Sequence, residues 1–126
     1  PTSEDSARAR GEPLKIGAKA LLVKGKMKFA LCVVPAHLRL DTHKIRKLLG
    51  SRKFRFASTD ELEAITGLVP GSVPPFGELL GVEMIVDERV FEEEFMAFNA
   101  GLLTRSIKMK THKFREVTKM RIEKIS

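Results

Sequence analysis

The sequence of 126 residues predicts an α+β fold: a single domain with a curved mixed β-sheet flanked by short helices. Apolar runs of strand length occur in pairs, which is typical of hairpins. Short segments with helix-capping residues separate these pairs, which argues against a regular alternation of strand and helix. The chain has no internal repeat and its length suits one hydrophobic core, so we expect residues 1–126 to form one domain.

The first half of the chain is predicted to hold a hairpin between short capped helices. Side-chain oxygens of Asp41 and Ser58 can accept hydrogen bonds from first-turn N–H groups, and Glu61 stands at capping-box spacing from Ser58. A glycine follows each predicted helix. A turn at Gly25 and Lys26 joins the two hairpin strands. The predicted elements are helix 3–10, strands 18–25 and 28–35, helix 42–49, strand 53–57 and helix 58–66.

The second half is predicted to hold a buried strand, a second hairpin and a final helix and strand. Asn99, Ala100 and Gly101 lie near the turn of this hairpin. Thr111 is a candidate cap for the helix that follows. The predicted elements are strand 82–86, an acid-rich helix or turn over 87–94, strands 95–101 and 104–110, helix 112–119 and strand 120–125.

Charge is distributed in blocks along the chain, whose net charge is +7. Residues 15–55 carry twelve Lys/Arg and one acid, residues 58–97 carry ten acids and one base, and residues 107–126 carry seven bases and two acids. Blocks that fold onto separate faces would give a basic surface suited to a phosphate backbone. A solvated lysine surface without a partner would give the same counts.

The sequence lacks the residues that several kinds of functional site require. Cys32 is the only cysteine, which excludes an intrachain disulfide and a Cys-based zinc site, and its apolar surroundings predict a buried side chain. His37, His43 and His112 are widely spaced and match no metal-ligand pattern. No apolar run approaches the roughly 18 residues that span a membrane, and no secretory signal is visible. We therefore expect a cytoplasmic protein without a membrane partner.

A glycine- and proline-rich loop interrupts the middle of the chain. Residues 67–77, "GLVPGSVPPFG", contain three glycines and three prolines, which neither continue a helix nor complete a sheet ladder. The backbone N–H groups of Gly71, Ser72 and Val73 are candidate contacts for a ligand. The other interpretation is a stiff connector.

Lys19 is a charged residue at the start of an apolar strand. If its side chain points into a pocket, it supplies a fixed positive charge for a phosphate or a developing oxyanion. A solvated lysine at the end of a strand is the alternative.

Five motifs together resemble one known family in their order and spacing. They are "GAKALLVKG", "LRLDTHKIRKLLG", "KFRFASTDELEAITGLVPGSVPPFG", "MIVDERV" and "FNAG". The chain resembles the YbaK-like family over residues 3–125: the editing domains associated with prolyl-tRNA synthetase and their free-standing relatives.

The resemblance implies a hydrolase that acts in trans on mischarged aminoacyl-tRNA, chiefly tRNA for proline that carries alanine or cysteine. A bound water attacks the ester, and no metal, cofactor or covalent nucleophile takes part. The family loop Gly-x-x-x-Pro corresponds to Gly71-Ser72-Val73-Pro74-Pro75. Catalytic roles are thereby implied for Lys19, Gly71 and Gly101, and substrate binding for Ser72, Val73, Pro74, Pro75, Asn99 and Ala100.

The implied partner is the aminoacylated 3′ end of tRNA, with prolyl-tRNA synthetase or a synthetase complex as a further candidate. The family commonly has Thr after the strand lysine, whereas this chain has Ala20, so no hydroxyl is available there. We also expect that upstream residues which shape the amino-acid pocket in the family precede Pro1. A non-catalytic module of the same fold, which binds tRNA or docks on a synthetase, is the alternative.

Overall fold

The computed structural model describes residues 16–126, which form seven strands, four α-helices and a 3₁₀ helix over Glu88–Glu92. The strands are β1 Ala18–Lys24, β2 Phe29–Pro35, β3 Arg55–Phe56, β4 Glu83–Asp87, β5 Phe95–Asn99, β6 Ser106–Lys110 and β7 Arg121–Glu123. The α-helices are α1 Thr42–Leu49, α2 Thr59–Thr66, α3 Gly77–Leu80 and α4 Thr111–Val117. The helix predicted over 3–10 lies outside the described residues.

Five of the strands form a mixed sheet in the order β3-β1-β2-β4-β7. β1 pairs antiparallel with β2 and with β3, whereas β4 pairs parallel with β2 and with β7. The predicted mixed sheet and its first hairpin are therefore confirmed. β5 and β6 form a separate antiparallel hairpin, which confirms the second predicted strand pair. A parallel bridge between Gly17 and Ala97 brings this hairpin beside the start of β1.

The five-stranded sheet is covered on both faces, which explains the continuous apolar run of β2. Residues at alternate positions of β1 and β2, such as Leu22 and Leu31, join a cluster that also contains Val73, Phe98 and Phe114. The intervening residues join a second cluster with Ile45 of α1. Cys32 belongs to this second cluster and is fully buried, as predicted, and burial raises the pKa of its thiol to about 12.

Predicted helix caps are present at α1 and α2. The Asp41 carboxylate accepts a hydrogen bond from the Lys44 N–H at 3.1 Å. Ser58 Oγ accepts from the Glu61 N–H at 3.1 Å, and the Glu61 carboxylate accepts from the Ser58 N–H at 2.9 Å. Both halves of the capping box therefore form, and they fix where α2 begins.

Three local features differ from what the sequence predicts. Thr111 is the first residue of α4 and does not cap it: its hydroxyl is buried and donates to the Glu93 carbonyl at 2.7 Å, because β6 runs directly into the helix. The strand predicted over 53–57 shortens to two exposed residues. Helix α3 was not predicted, because the prolines before it mask a single helical turn.

Candidate active site at the glycine-proline loop

The loop begins with a tight turn over Val69–Ser72 that its sequence specifies. The Ser72 N–H donates to the Val69 carbonyl at 3.1 Å, and Gly71 has a φ of +86°. This is a type II turn, which favours proline at its second position and requires a left-handed residue, usually glycine, at its third. Ser72 Oγ adds a second link, since it donates to the Val69 carbonyl at 2.8 Å. The turn is therefore closed by both backbone and side chain.

The turn is attached to the β5–β6 hairpin by two hydrogen bonds. Asn99 Nδ2 donates to the Gly71 carbonyl at 2.7 Å, and the Gly101 N–H donates to the Ser72 carbonyl at 2.9 Å. A Cβ atom built on Gly71 would lie 3.1 Å from Leu103 Cδ2 of the hairpin turn. The structure thus brings the two predicted parts of the site, from the loop and from the hairpin, into direct contact.

These contacts decide which loop N–H groups remain for a ligand. The Ser72 N–H is used within the turn, so the prediction that it is free is wrong. The Gly101 N–H and the Ala100 N–H are also used, by Ser72 and Arg105. Within residues 16–126, no acceptor is found for the N–H of Gly71 or of Val73. Two backbone donors therefore have no partner within residues 16–126, an uncommon state for a buried residue such as Val73.

The rest of the loop is anchored in the core. Ser72, Val73 and Pro75 are buried, whereas Gly71 is exposed and Pro74 is partly exposed. Phe76 meets two core rings edge-on, at centroid distances of 5.6 Å to Phe98 and 5.8 Å to Phe114. Edge-to-face pairs of this kind hold a chain segment in one orientation. The loop is therefore a rigid platform with its first glycine at the surface.

Lys19 lies on the neighbouring strand but does not join the loop. Its backbone pairs with Val34, and the bridge between Gly17 and Ala97 places β5 alongside this end of β1. Side chains alternate along a strand. Ala18 and Ala20 pack against the cluster that contains Val73, so Lys19 leaves β1 on the opposite face. In the described part of the chain, no hydrogen bond or ion pair links Lys19 to residues 69–76.

The charge of Lys19 is accompanied by a second positive charge. Partial burial lowers the pKa of Lys19, and the nearby Arg39 guanidinium lowers it further. No ion pair of either side chain is found among residues 16–126. Two cations that have no carboxylate partner in the described part of the chain form an electropositive site that favours an anion. Arg39 was not singled out in the sequence, because only its membership of the basic block marked it.

Other parts of the described chain offer no alternative metal centre or membrane span. The three histidines are exposed, and residues 16–126 contain no group of His, Cys, Asp and Glu that could hold a metal ion. None of the described helices is long and apolar enough to cross a bilayer. A cavity of about 820 Å³ lies between α4 and β4, lined in part by Glu78 and Arg115, and contains none of the predicted site residues.

Comparison with known proteins gives consistent matches. The sequence profile described as "Aminoacyl-tRNA editing domain" matches residues 1–117. The "Multifunctional Ser/Thr-tRNA deacylase ProXp-y" of Escherichia coli K12 is 33% identical over 113 residues, which cover 86% of this chain and 68% of that protein. The proline–tRNA ligase of Bordetella petrii is 33% identical over 91 residues, which cover 68% of this chain and 16% of the ligase.

A solved structure shows the same fold. The crystal structure of a proposed trans-editing enzyme for prolyl-tRNA synthetase superposes with a TM-score of 0.89, at 24% identity, over 99% of this chain and 79% of the other. The described residues therefore adopt a known fold, and this fold includes the loop and the hairpin.

Proposed function

The chain belongs to the aminoacyl-tRNA editing domain family and is an aminoacyl-tRNA deacylase, and we propose that it acts in trans on tRNA for proline mischarged with alanine or cysteine. In this reaction a water oxygen attacks the carbonyl carbon of the ester between the amino acid and the terminal ribose. The ester C–O bond then breaks, and the ribose oxygen leaves with a proton. The products are the free amino acid and uncharged tRNA.

The observation that carries this proposal is the pair of unpaired N–H groups on the rigid loop. The donors of Gly71 and Val73 lack acceptors among the described residues, and the turn that presents them is closed and anchored. Such donors stabilise the negative charge that develops on the carbonyl oxygen, and they do so without reorganising. An aminoacyl ester is already reactive, so positioning and electrostatic stabilisation supply much of the acceleration.

Asn99 and Gly101 act as positioning residues in this proposal. Their hydrogen bonds to the carbonyls of Gly71 and Ser72 hold the turn in register with the hairpin. Ser72, Val73, Pro74 and Pro75 form the wall behind the ester, and Ala100 closes the hairpin turn through its bond to Arg105 at 3.0 Å. The wall is largely apolar, which suits a small amino-acid side chain.

Lys19 binds a phosphate near the 3′ end of the tRNA rather than the ester carbonyl. Its side chain leaves β1 on the face opposite the loop cluster, beside Arg39. The two cations lack a carboxylate partner in the described part of the chain, and a phosphate would supply the missing negative charge. The bridge between Gly17 and Ala97, which brings the hairpin beside the start of β1, supports a phosphate site and a loop at the same end of the strand.

Serine or threonine is the second candidate for the amino acid. The relative from Escherichia coli with 33% identity is described as a Ser/Thr-tRNA deacylase. The tRNA for proline is favoured because regions of 28% to 33% identity also occur within proline–tRNA ligases. The same observation supports prolyl-tRNA synthetase, or a synthetase complex, as a docking partner. A non-catalytic tRNA-binding module is the competing function.

A deacylation panel with the full chain tests the proposal. The substrates are tRNA for proline charged in turn with alanine, cysteine, serine, threonine and proline, and the readout is release of the amino acid. We expect hydrolysis of the alanine or cysteine ester, with the proline ester preserved. If only the serine and threonine esters are hydrolysed, the amino acid removed is serine or threonine and not alanine or cysteine. If every ester survives while uncharged tRNA still binds, the non-catalytic module is the correct function.

A further inference from the structure

Two cavities with basic linings lie side by side at the other end of β1. One has a volume of about 470 Å³, the second about 370 Å³, and Arg52 lines both. Neither lining contains an Asp or Glu. We define the basic groove by the cations Lys24, Lys26, Arg46, Lys47, Arg52 and Lys53.

Two turns that are distant in sequence build this groove. The turn between β1 and β2 contributes Lys26, and the segment after α1 contributes Arg52 and Lys53. The Lys26 N–H donates to Ser51 Oγ at 3.1 Å, and Ser51 Oγ donates to the Lys53 carbonyl at 2.9 Å. The backbone positions of these cations are therefore fixed relative to one another, although their side chains are exposed.

The charge of the groove is largely uncompensated. Lys26, Arg52 and Lys53 form no ion pair with any acid of the described chain. Lys24 and Arg46 lie over aromatic rings, 5.3 Å and 5.4 Å from the centroids, which leaves their charge in place. Arg55 also lines the first cavity, but it is left out of the set because Glu61 pairs with it at 2.5 Å. A polyanion that spans these like charges is attracted by each of them.

The groove and the candidate active site lie far enough apart to contact different parts of one tRNA. Lys19 and Lys24 occupy opposite ends of β1, and five residues of an extended strand cover about 17 Å. In a tRNA, the duplex of the acceptor stem adjoins the single-stranded end that carries the amino acid. Resting on the proposed function, we infer that the basic groove binds phosphates of the acceptor stem while the loop holds the esterified end.

Binding of uncharged tRNA tests this inference independently of hydrolysis. The groove variant is the triple substitution Lys26→Ala, Arg52→Ala, Lys53→Ala in the full chain. The control variant removes the same charge from three exposed lysines outside the groove, Lys113→Ala, Lys119→Ala, Lys124→Ala. We expect the groove variant to bind tRNA at least about tenfold more weakly and to reduce the salt slope of log Kd by about 3. The control is expected to stay within about twofold of wild type.

A kinetic comparison shows whether the groove contacts the duplex. The loss of kcat/KM in the groove variant is expected to be larger on full-length aminoacyl-tRNA than on an aminoacylated CCA trinucleotide, and to arise in KM. Equal losses on both substrates would overturn the inference, as would equal weakening by the groove and control variants. Thermal unfolding of each variant checks that the fold is retained. A wild type that binds tRNA through the groove but hydrolyses no ester would refute the proposed function and leave this inference standing.

Discussion

The glycine-proline loop and the basic groove use different physical means at opposite ends of β1. The loop is held by backbone hydrogen bonds and buried rings, and the donors that lack a partner among residues 16–126 are N–H groups. The groove presents long charged side chains that are mostly exposed and form no ion pair within the described chain. Backbone donors have a fixed geometry and carry no net charge, whereas flexible cations act at longer range and are screened by salt. We therefore expect a change in the loop to affect the chemical step and a change in the groove to affect RNA affinity.

Gly71→Ala is expected to have the largest effect. A Cβ at this position would be strained at φ +86° and would approach Leu103 Cδ2 to 3.1 Å, so the turn must shift. Displacing one oxyanion donor lowers kcat by about 100-fold to 1,000-fold. Single-turnover deacylation measures this loss.

Gly81→Ala is the matched control for that variant. Gly81 also has a positive φ, +73°, but no atom lies within 4 Å of its Cβ position, and it directly follows α3. Both variants should lose about 1–2 kcal/mol of unfolding free energy from backbone strain. An equal loss of kcat in the two variants would show that the loop acts only through stability. The loop would then have no role of its own in the chemical step.

Ionic strength is expected to have the next largest effect, and to act on the phosphate-binding cations of the groove and of the Lys19 and Arg39 site, not on the loop. If the groove neutralises about three phosphates, Kd for tRNA should rise roughly 40-fold between 50 and 200 mM salt. Gly71→Ala should show the same dependence, because no charge is changed. A salt slope that differs between wild type and Gly71→Ala would mean that the two regions do not act independently.

The attachment of the loop to the hairpin is expected to have a smaller effect. Asn99→Asp keeps the size of the side chain but replaces the donor to the Gly71 carbonyl by a carboxylate oxygen, which would repel that carbonyl. The loss of a positioned hydrogen bond, about 1.5 kcal/mol, corresponds to roughly a tenfold lower kcat/KM. An unchanged tRNA Kd would show that the loss lies in the loop. A larger loss in Kd than in kcat would contradict the positioning role.

Local signals in the sequence predicted much of the fold. The caps at Asp41 and Ser58 and the turn after β1 follow from side-chain chemistry within a few residues. The loop could be found for the same reason, since glycine and proline restrict the backbone locally. These features depend on neighbours along the chain, so they can be read before the fold is known.

Contacts between distant residues could not be predicted in the same way. The bond from Asn99 to Gly71 spans 28 residues, and the bond from Lys26 to Ser51 spans 25. The pairing state of the Ser72 N–H and the proximity of Arg39 to Lys19 likewise depend on the folded chain. Composition marked residues 15–55 as basic. Only the fold shows that Arg55 forms an ion pair with Glu61, whereas the cations of the groove form none within the described chain.

Helix α2 connects the two regions. A substitution in its N-terminal cap is expected to have the smallest effect. It begins at the Ser58–Glu61 capping box near the groove and ends just before the loop. Hydrogen bonds from Arg55, and then from the Ser58 N–H, lower the pKa of Glu61 to about 2. Because this folded-state pKa lies below the usual value, the stabilisation is present above about pH 4.5 and is lost as the pH falls through about 2.

Glu61→Gln should remove that pH-dependent stabilisation, and the matched control is Glu63→Gln, an exposed acid on the same helix. Thermal unfolding measured from pH 7 to pH 2 should show a Tm difference between wild type and Glu61→Gln that shrinks as the pH falls, while Glu63→Gln follows wild type. Because the cap fixes only the start of α2, kcat should change less than in Asn99→Asp. A Tm difference that is constant over the whole pH range would mean that Glu61 stabilises the helix through its uncharged hydrogen bonds alone. The helix would then join the two regions without making either of them sensitive to pH.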